Sequence, residues 1–141
     1  MTGPAGAEAF LGDWQLAREI DDHLTGDSGS LAGLARITAM PDGFLYREDG
    51  KLSLPGRPPF TATRSYLWQA HDAGRIDVFF DDGRPFHSFA LTRGAQAAHF
   101  CDPDTYLVEY DFSRWPRWKT TWDVTGPRKG YRMISRYTPA A

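Results

Sequence analysis

Gly12-Asp13-Trp14-Gln15-Leu16-Ala17-Arg18-Glu19-Ile20 decides the fold class. Trp14, Leu16 and Ile20 fall on one side of a period-two pattern, and Asp13, Gln15, Ala17 and Glu19 fall on the other. A strand with one buried and one wet face requires that arrangement. Only Arg18 breaks the apolar side. A charged group facing an interior needs a partner or a ligand there, and Glu48 and Glu109 are the candidate partners.

Outward from this stretch the same alternation recurs, interrupted by turn chemistry. Thr25 to Ser30 (TGDSGS) reads as a turn, and a second strand follows from about Gly33 to Met40. Pro41-Asp42-Gly43 is a tight-turn signal, and Phe44, Tyr46 and Glu48 then alternate up to another expected turn at Asp49-Gly50. Leu54 to Pro59 holds three prolines, which donate no ladder hydrogen bond, so it is a loop. Phe60 to Ala70 resumes the pattern with Arg64, Tyr66 and Trp68 on one face. Turns at Asp72-Ala73-Gly74 and Asp81-Asp82-Gly83 bracket Ile76, Val78 and Phe80. Phe86 to Leu91, Ala97 to Cys101, Tyr106 to Phe112, Trp118 to Val124 and Tyr131 to Tyr137 follow as short strands. The count is nine or ten.

No helical period survives beyond a few residues after Leu11, so a parallel βαβ architecture is unsupported. Short connections imply antiparallel neighbours. So many twisted strands must split into a sandwich or close on themselves, and closure also removes exposed edges. The expected fold is therefore all-β, an antiparallel up-and-down meander closed into a barrel of about 8 to 10 strands, with a sandwich as the alternative. Residues 1–9 have little to bury and read as a flexible N-terminal arm, with one helical turn near Gly6 to Leu11. Residues 10–141 form the single barrel domain.

Composition agrees. Five Trp, nine Phe and six Tyr in 141 residues favour strands and supply large buried areas. A formal charge of −2 gives no basic field to hold nucleic acid. The only cysteine, Cys101, cannot form an internal disulfide, and the N-terminus lacks the features of a secretory signal, so a cytoplasmic location is expected. No run approaches the ~20 apolar residues that span a bilayer, so no membrane association is expected.

Phe10-Leu11-Gly12-Asp13-Trp14 resembles the Gly-x-Trp opening of lipocalin and related calycin barrels. The resemblance implies that Trp14 closes one end of the barrel and packs against a basic side chain of the last strand, Arg136 or Arg132 here. Arg18-Glu19-Ile20-Asp21, Asp82 to His87, His99 to Asp102 with Asp104 and Tyr106, and Trp122 to Lys129 also resemble a family of small uncharacterised bacterial proteins, over nearly the full length. That second resemblance implies a fold and no known activity.

Two of the four histidines, the cysteine and several aspartates lie between Asp81 and Tyr106. A hairpin turning near Arg93-Gly94 would place His87 and His99 on neighbouring cross-strand positions. With Asp102 or Asp104 as orienting carboxylate, either His would serve as general acid or base. His99-x-Cys101 lacks the paired spacing of structural zinc sites, so no metal is expected. Along a strand His99 and Cys101 are roughly 6.5 to 7 Å apart, too far for base and nucleophile. Arg64, Tyr66 and Trp68 share a face and would suit a planar or carboxylate-bearing ligand, although aromatic residues also simply fill cores. Ser113 to Lys119 interleaves cations and rings, and Gly126 to Gly130 is a cationic turn without the signature of a phosphate-binding loop. Both read as connections between strands.

The leading reading is a small-molecule-binding barrel holding a partly apolar ligand in its interior, with Arg64, Tyr66, Trp68, His87, His99 and Tyr106 as ligand-binding residues. The alternative is a barrel enzyme of hydrolase or isomerase type, with His87, His99, Asp102 and Asp104 as its catalytic candidates. A third reading is a filled barrel that binds a protein partner, and a homodimer is compatible with the sequence. No cofactor is required; haem, through His87 or His99, is a subordinate alternative. An internal cavity of a few hundred Å³ would favour binding, and a His with a carboxylate beside it would favour catalysis.

Overall fold

A computed structural model describes residues 3–71, 74–92 and 94–140. The ten strands are β1 (Gly12–Asp22), β2 (Ser28–Met40), β3 (Gly43–Ser53), β4 (Phe60–His71), β5 (Arg75–Phe80), β6 (Pro85–Ala90), β7 (Gly94–Cys101), β8 (Asp104–Arg114), β9 (Arg117–Thr125) and β10 (Gly130–Pro139). All ladders are antiparallel, and the hydrogen-bonded order is β6-β5-β4-β3-β2-β1-β10-β9-β8-β7. First and last strands thus pair in the middle of the order, with Leu16 opposite Tyr137 and Arg18 opposite Ser135. The result is an up-and-down meander nearly closed into a barrel, as the alternation requires. Among the described residues, no helix is long and apolar enough to cross a membrane.

Four sequence expectations change. Asp49-Gly50 is not a turn, because β3 runs through it to Ser53. Gly50 sits opposite Gly33 of β2, where a side chain on Gly33 would collide with the Asp49 carbonyl. The pair of glycines lets two backbones approach inside a continuous ladder, a use of glycine indistinguishable in sequence from a turn. The segment expected as a loose arm is docked: Pro4 and Ala7 are buried, and the helical turn is a 3-10 turn at Ala7–Phe10 that inserts Phe10 into the barrel.

The third change concerns β6 and β7, which stand at the two ends of the hydrogen-bonded order instead of forming a hairpin. Their connection at Arg93 lies outside the described residues, as does the expected turn at Asp72-Ala73. Side chains close the seam in place of a ladder. Phe89 and His87 of β6 reach across the small Ala95 and Ala97 of β7 to Tyr110 of β8, where Phe89 stacks with ring centroids 3.9 Å apart. Fourth, Trp14 does not pack on a cation. Arg136 pairs with Glu19 and Arg132 with Asp123 on the outer wall, while Trp14 sits against Trp115 and Trp118 and donates its indole N–H to the Phe10 carbonyl at 2.9 Å. Outward-pointing positions of β10 cannot reach an inward Trp, by the period-two rule itself.

The closed end is the aromatic floor around Phe10. Its ring makes edge contacts with Trp68, Phe112, Trp115 and Trp118 at centroid distances of 5.0 to 5.8 Å and is 0% exposed. The opposite end, bounded by the loops after β1, β3, β5, β7 and β9, is the open one.

Candidate functional site

Above the floor the interior changes from apolar to polar. Arg18 projects inward from β1 and is met by Glu48 of β3 in a two-point ion pair, with N–O distances of 3.0 and 2.6 Å. Glu48 is thus the partner, and Glu109 lies exposed on the outer wall. Arg18 Nε donates to Ser135 Oγ at 2.7 Å. The Tyr46 hydroxyl donates to Glu48 Oε2 at 2.5 Å, which uses its one proton, so Tyr137 donates to Tyr46 across their 2.6 Å contact. Burial pushes the Glu48 carboxyl up, but the Arg18 guanidinium and the Tyr46 hydroxyl outweigh it and hold Glu48 ionised. Burial and the Glu48 charge push the Tyr137 phenol up to about 12. Charges and donors are matched within this cluster, so it supports the barrel wall and has no group to spare for chemistry.

Beside this cluster lies a void of about 30 Å³, room for roughly one water molecule. His87, Tyr110, Trp118 and Thr120 contribute to its wall, with Arg64, Tyr66, Trp122 and Met133 at its upper side. Those last four residues also line a depression of about 440 Å³ at the open end. Void and depression therefore adjoin at this shared wall, the void as throat and the depression as mouth of the open end. Phe80, Phe86 and Tyr106 flank the mouth, and Arg64 and Lys129 supply its cations. Lys129 pairs with Asp104 at 3.1 Å and lies 5.9 Å from the centre of the Tyr106 ring. Arg64 has no ion-pair partner within 4 Å among the described residues and is exposed at the mouth. Burial raises the Tyr66 and Tyr131 phenols, so both are neutral donors there.

The sequence candidates divide accordingly. Arg64, Tyr66 and Tyr106 come together at the mouth. Trp68 lies below them, buried and stacked on Tyr46 at 5.6 Å, where it lines the throat and belongs to the core. His87 and His99 do lie close, both packed edge-on to Phe86 with centroids 4.5 and 5.1 Å away, although no ladder joins their strands. His87 Nε2 contacts the Tyr110 hydroxyl at 2.7 Å. Burial, with a smaller contribution from His99, lowers the His87 imidazole to about 4, so it is neutral.

The His and Asp candidates are not brought together. Among the described residues no carboxylate lies within hydrogen-bond or ion-pair distance of His87 or His99. Asp102 is exposed and Asp104 is committed to Lys129, because the β7–β8 turn carries both away from the interior. Aromatic side chains fill the interior down to the void of about 30 Å³, and the depression of about 440 Å³ lies above it at the mouth. Among the described residues, no group of three or more His, Cys, Asp or Glu is disposed to hold a metal ion. Sequence reasoning passed over Phe86, Trp118, Thr120, Trp122 and Lys129. Trp118, Thr120, Trp122 and Val124 alternate along β9, and that period would have marked them as inward-facing.

A nearly closed antiparallel meander with a Gly-x-Trp start, one plugged end and one open end defines a lipocalin-like barrel. The solved structure of the S-type phycobiliprotein lyase CPES from Guillardia theta is similar in fold, with a TM-score of 0.66 over 96% of this chain and 90% of that one, at 9% identity. Within this class the chain belongs to the Family of unknown function (DUF6314), whose model matches residues 10–139. No curated protein matches the sequence.

Proposed function

We propose that this barrel binds a small planar molecule carrying a carboxylate, held at the mouth. The observation that carries the reading is Arg64, a cation without an ion-pair partner among the described residues, set beside Tyr66, Phe86 and Trp122 in a depression of about 440 Å³. Half-buried aromatic rings favour a flat apolar body, and a guanidinium favours bidentate capture of a carboxylate. Few polar groups in an otherwise aromatic concavity is the usual make-up of a small-ligand site. The likeness to a phycobiliprotein lyase supports the reading at the level of fold. The matched charges around Glu48 and the lack, among the described residues, of a carboxylate beside either interior His favour binding over acid–base catalysis.

The test is native mass spectrometry on freshly purified protein, followed by titration of tryptophan fluorescence with biliverdin, fluorene-2-carboxylate and oleate. A mass excess lost on denaturation, or saturable quenching by the planar acids and weaker quenching by oleate, is the expected result. Apo mass together with no quenching by any of the three would overturn the proposal.

A further inference from the structure

Among the described residues, three buried side-chain polar atoms have no hydrogen-bond partner: His87 Nδ1, Trp118 Nε1 and Thr120 Oγ1. All three belong to residues that line the one throat void. Trp118 and Thr120 are each only 3% exposed, so bulk water does not reach them. Unpartnered buried donors are rare because each gives up its hydration with nothing in return. Three on one small void are a built feature that calls for an occupant.

The chemistry of that occupant follows from the donors. An indole N–H only donates. For His87 the proton can sit on either nitrogen. If Nε2 carried it, Nε2–H would donate to Tyr110, leaving both the Tyr110 proton and the Nδ1 lone pair without partners. If Tyr110 donates to Nε2, a single orphan remains, the Nδ1–H donor. The second arrangement is the better satisfied. Two donors and a rotatable hydroxyl therefore belong to residues of the throat wall, a set that an acceptor atom in the void would serve. The void has room for little more than that atom. A second carboxylate would place an anion beside ionised Glu48, whose charge Arg18 already meets, so a neutral oxygen is favoured.

We infer that the throat is a carbonyl-oxygen subsite: the ligand enters with a neutral C=O leading, which replaces a single water and accepts hydrogen bonds from His87, Trp118 and Thr120, while its carboxylate stays with Arg64 at the mouth. This rests on the mouth-binding reading above and narrows it to flat acids with a carbonyl remote from the carboxylate. A ligand lacking that oxygen either leaves the water in place or expels it without replacing its hydrogen bonds, and loses affinity in both cases.

The discriminating probes are 9-oxofluorene-2-carboxylate and fluorene-2-carboxylate, which share ring system and charge and differ in the carbonyl. The oxo acid is expected to bind the wild-type protein roughly tenfold more tightly. Thr120→Val, nearly isosteric, should shrink the preference several-fold, and His87→Phe should shrink it further. If neither acid binds, the mouth reading itself fails. If both bind wild-type protein equally, or the preference survives in both variants, the carbonyl subsite is overturned and the mouth reading stands. Should the variants fold poorly, the indole ¹⁵N–H resonance of Trp118 in the wild-type protein decides. It is expected to move on addition of the oxo acid and not of fluorene-2-carboxylate, and the same shift with both acids would overturn the subsite.

Discussion

The floor and the mouth of this barrel are both lined with aromatic rings, yet at the floor Phe10 is 0% exposed, while at the mouth Tyr66, Phe80, Tyr106 and Trp122 are left half-buried. The difference comes from what each end receives from the chain outside the strands. The floor is capped by the 3-10 turn Ala7–Phe10, which brings its own ring and lets Trp14, Trp68 and Trp118 complete their packing. The mouth receives Lys129 from the turn between β9 and β10 and carries Arg64 on β4 itself, and their charges need water or an anion. The same residue types therefore make a core at one end and a receptive surface at the other. The buried Arg18–Glu48 cluster lies between them.

Substitutions that act on one end only are the sharpest probes of this division. The largest expected losses are on the closed side. Phe10→Ala should lower unfolding stability by about 4 kcal/mol in urea titrations, the usual cost of truncating a fully buried Phe. Affinity for a flat acid at the mouth should be little changed in the folded variant, and a parallel loss of binding would show that the two ends are coupled. Glu48→Ala should cost about 3 to 5 kcal/mol because it strands the Arg18 charge. The double substitution Arg18→Met, Glu48→Leu should recover most of that loss, and a double variant as unstable as the single one would mean that the pair shapes the wall in some way beyond charge balance.

At the throat the expected effect is pH-dependent. His87 has a folded value of about 4 against an ordinary 6.5, so the unfolded chain takes up a proton that the folded barrel refuses. Stability should be complete above about pH 6.5 and decline as the pH falls towards 4, by at most about 3 kcal/mol from this group. Guanidinium titrations at pH 7 and pH 4.5 should show the loss in the wild-type protein and a smaller one in His87→Phe. An equal loss in both would assign the acid sensitivity to Glu48 and the other carboxylates.

The smallest stability effect belongs to the mouth. Arg64→Gln should leave the thermal midpoint within error, since the guanidinium has no ion pair to lose, while weakening carboxylate binding roughly tenfold. If the midpoint drops and binding holds, Arg64 is part of the wall and the contrast between the ends fails there.

The local pattern was sufficient for the strands and much of their pairing. Period-two alternation from Trp14 to Ile20 and its repeats implied nine or ten antiparallel elements, and Arg18 alone on an apolar face announced a buried counter-charge among the acids of other strands, since its desolvation cost is too large to leave unmatched. Side-chain direction in a strand is a local property, so it was legible. Three matters were decided only by the closed tertiary structure. Which end of the barrel is plugged depends on a turn of the N-terminal segment whose own composition shows little to bury. Whether Asp49-Gly50 turns or passes straight depends on Gly33 lying opposite it in the neighbouring strand. The convergence of His87, Trp118 and Thr120 on one void, from β6 and β9, is set by how the seam between β6 and β7 closes through side chains. Residues 31 or 33 positions apart carry no local signal of meeting, because packing in three dimensions, and not spacing along the chain, brings them together.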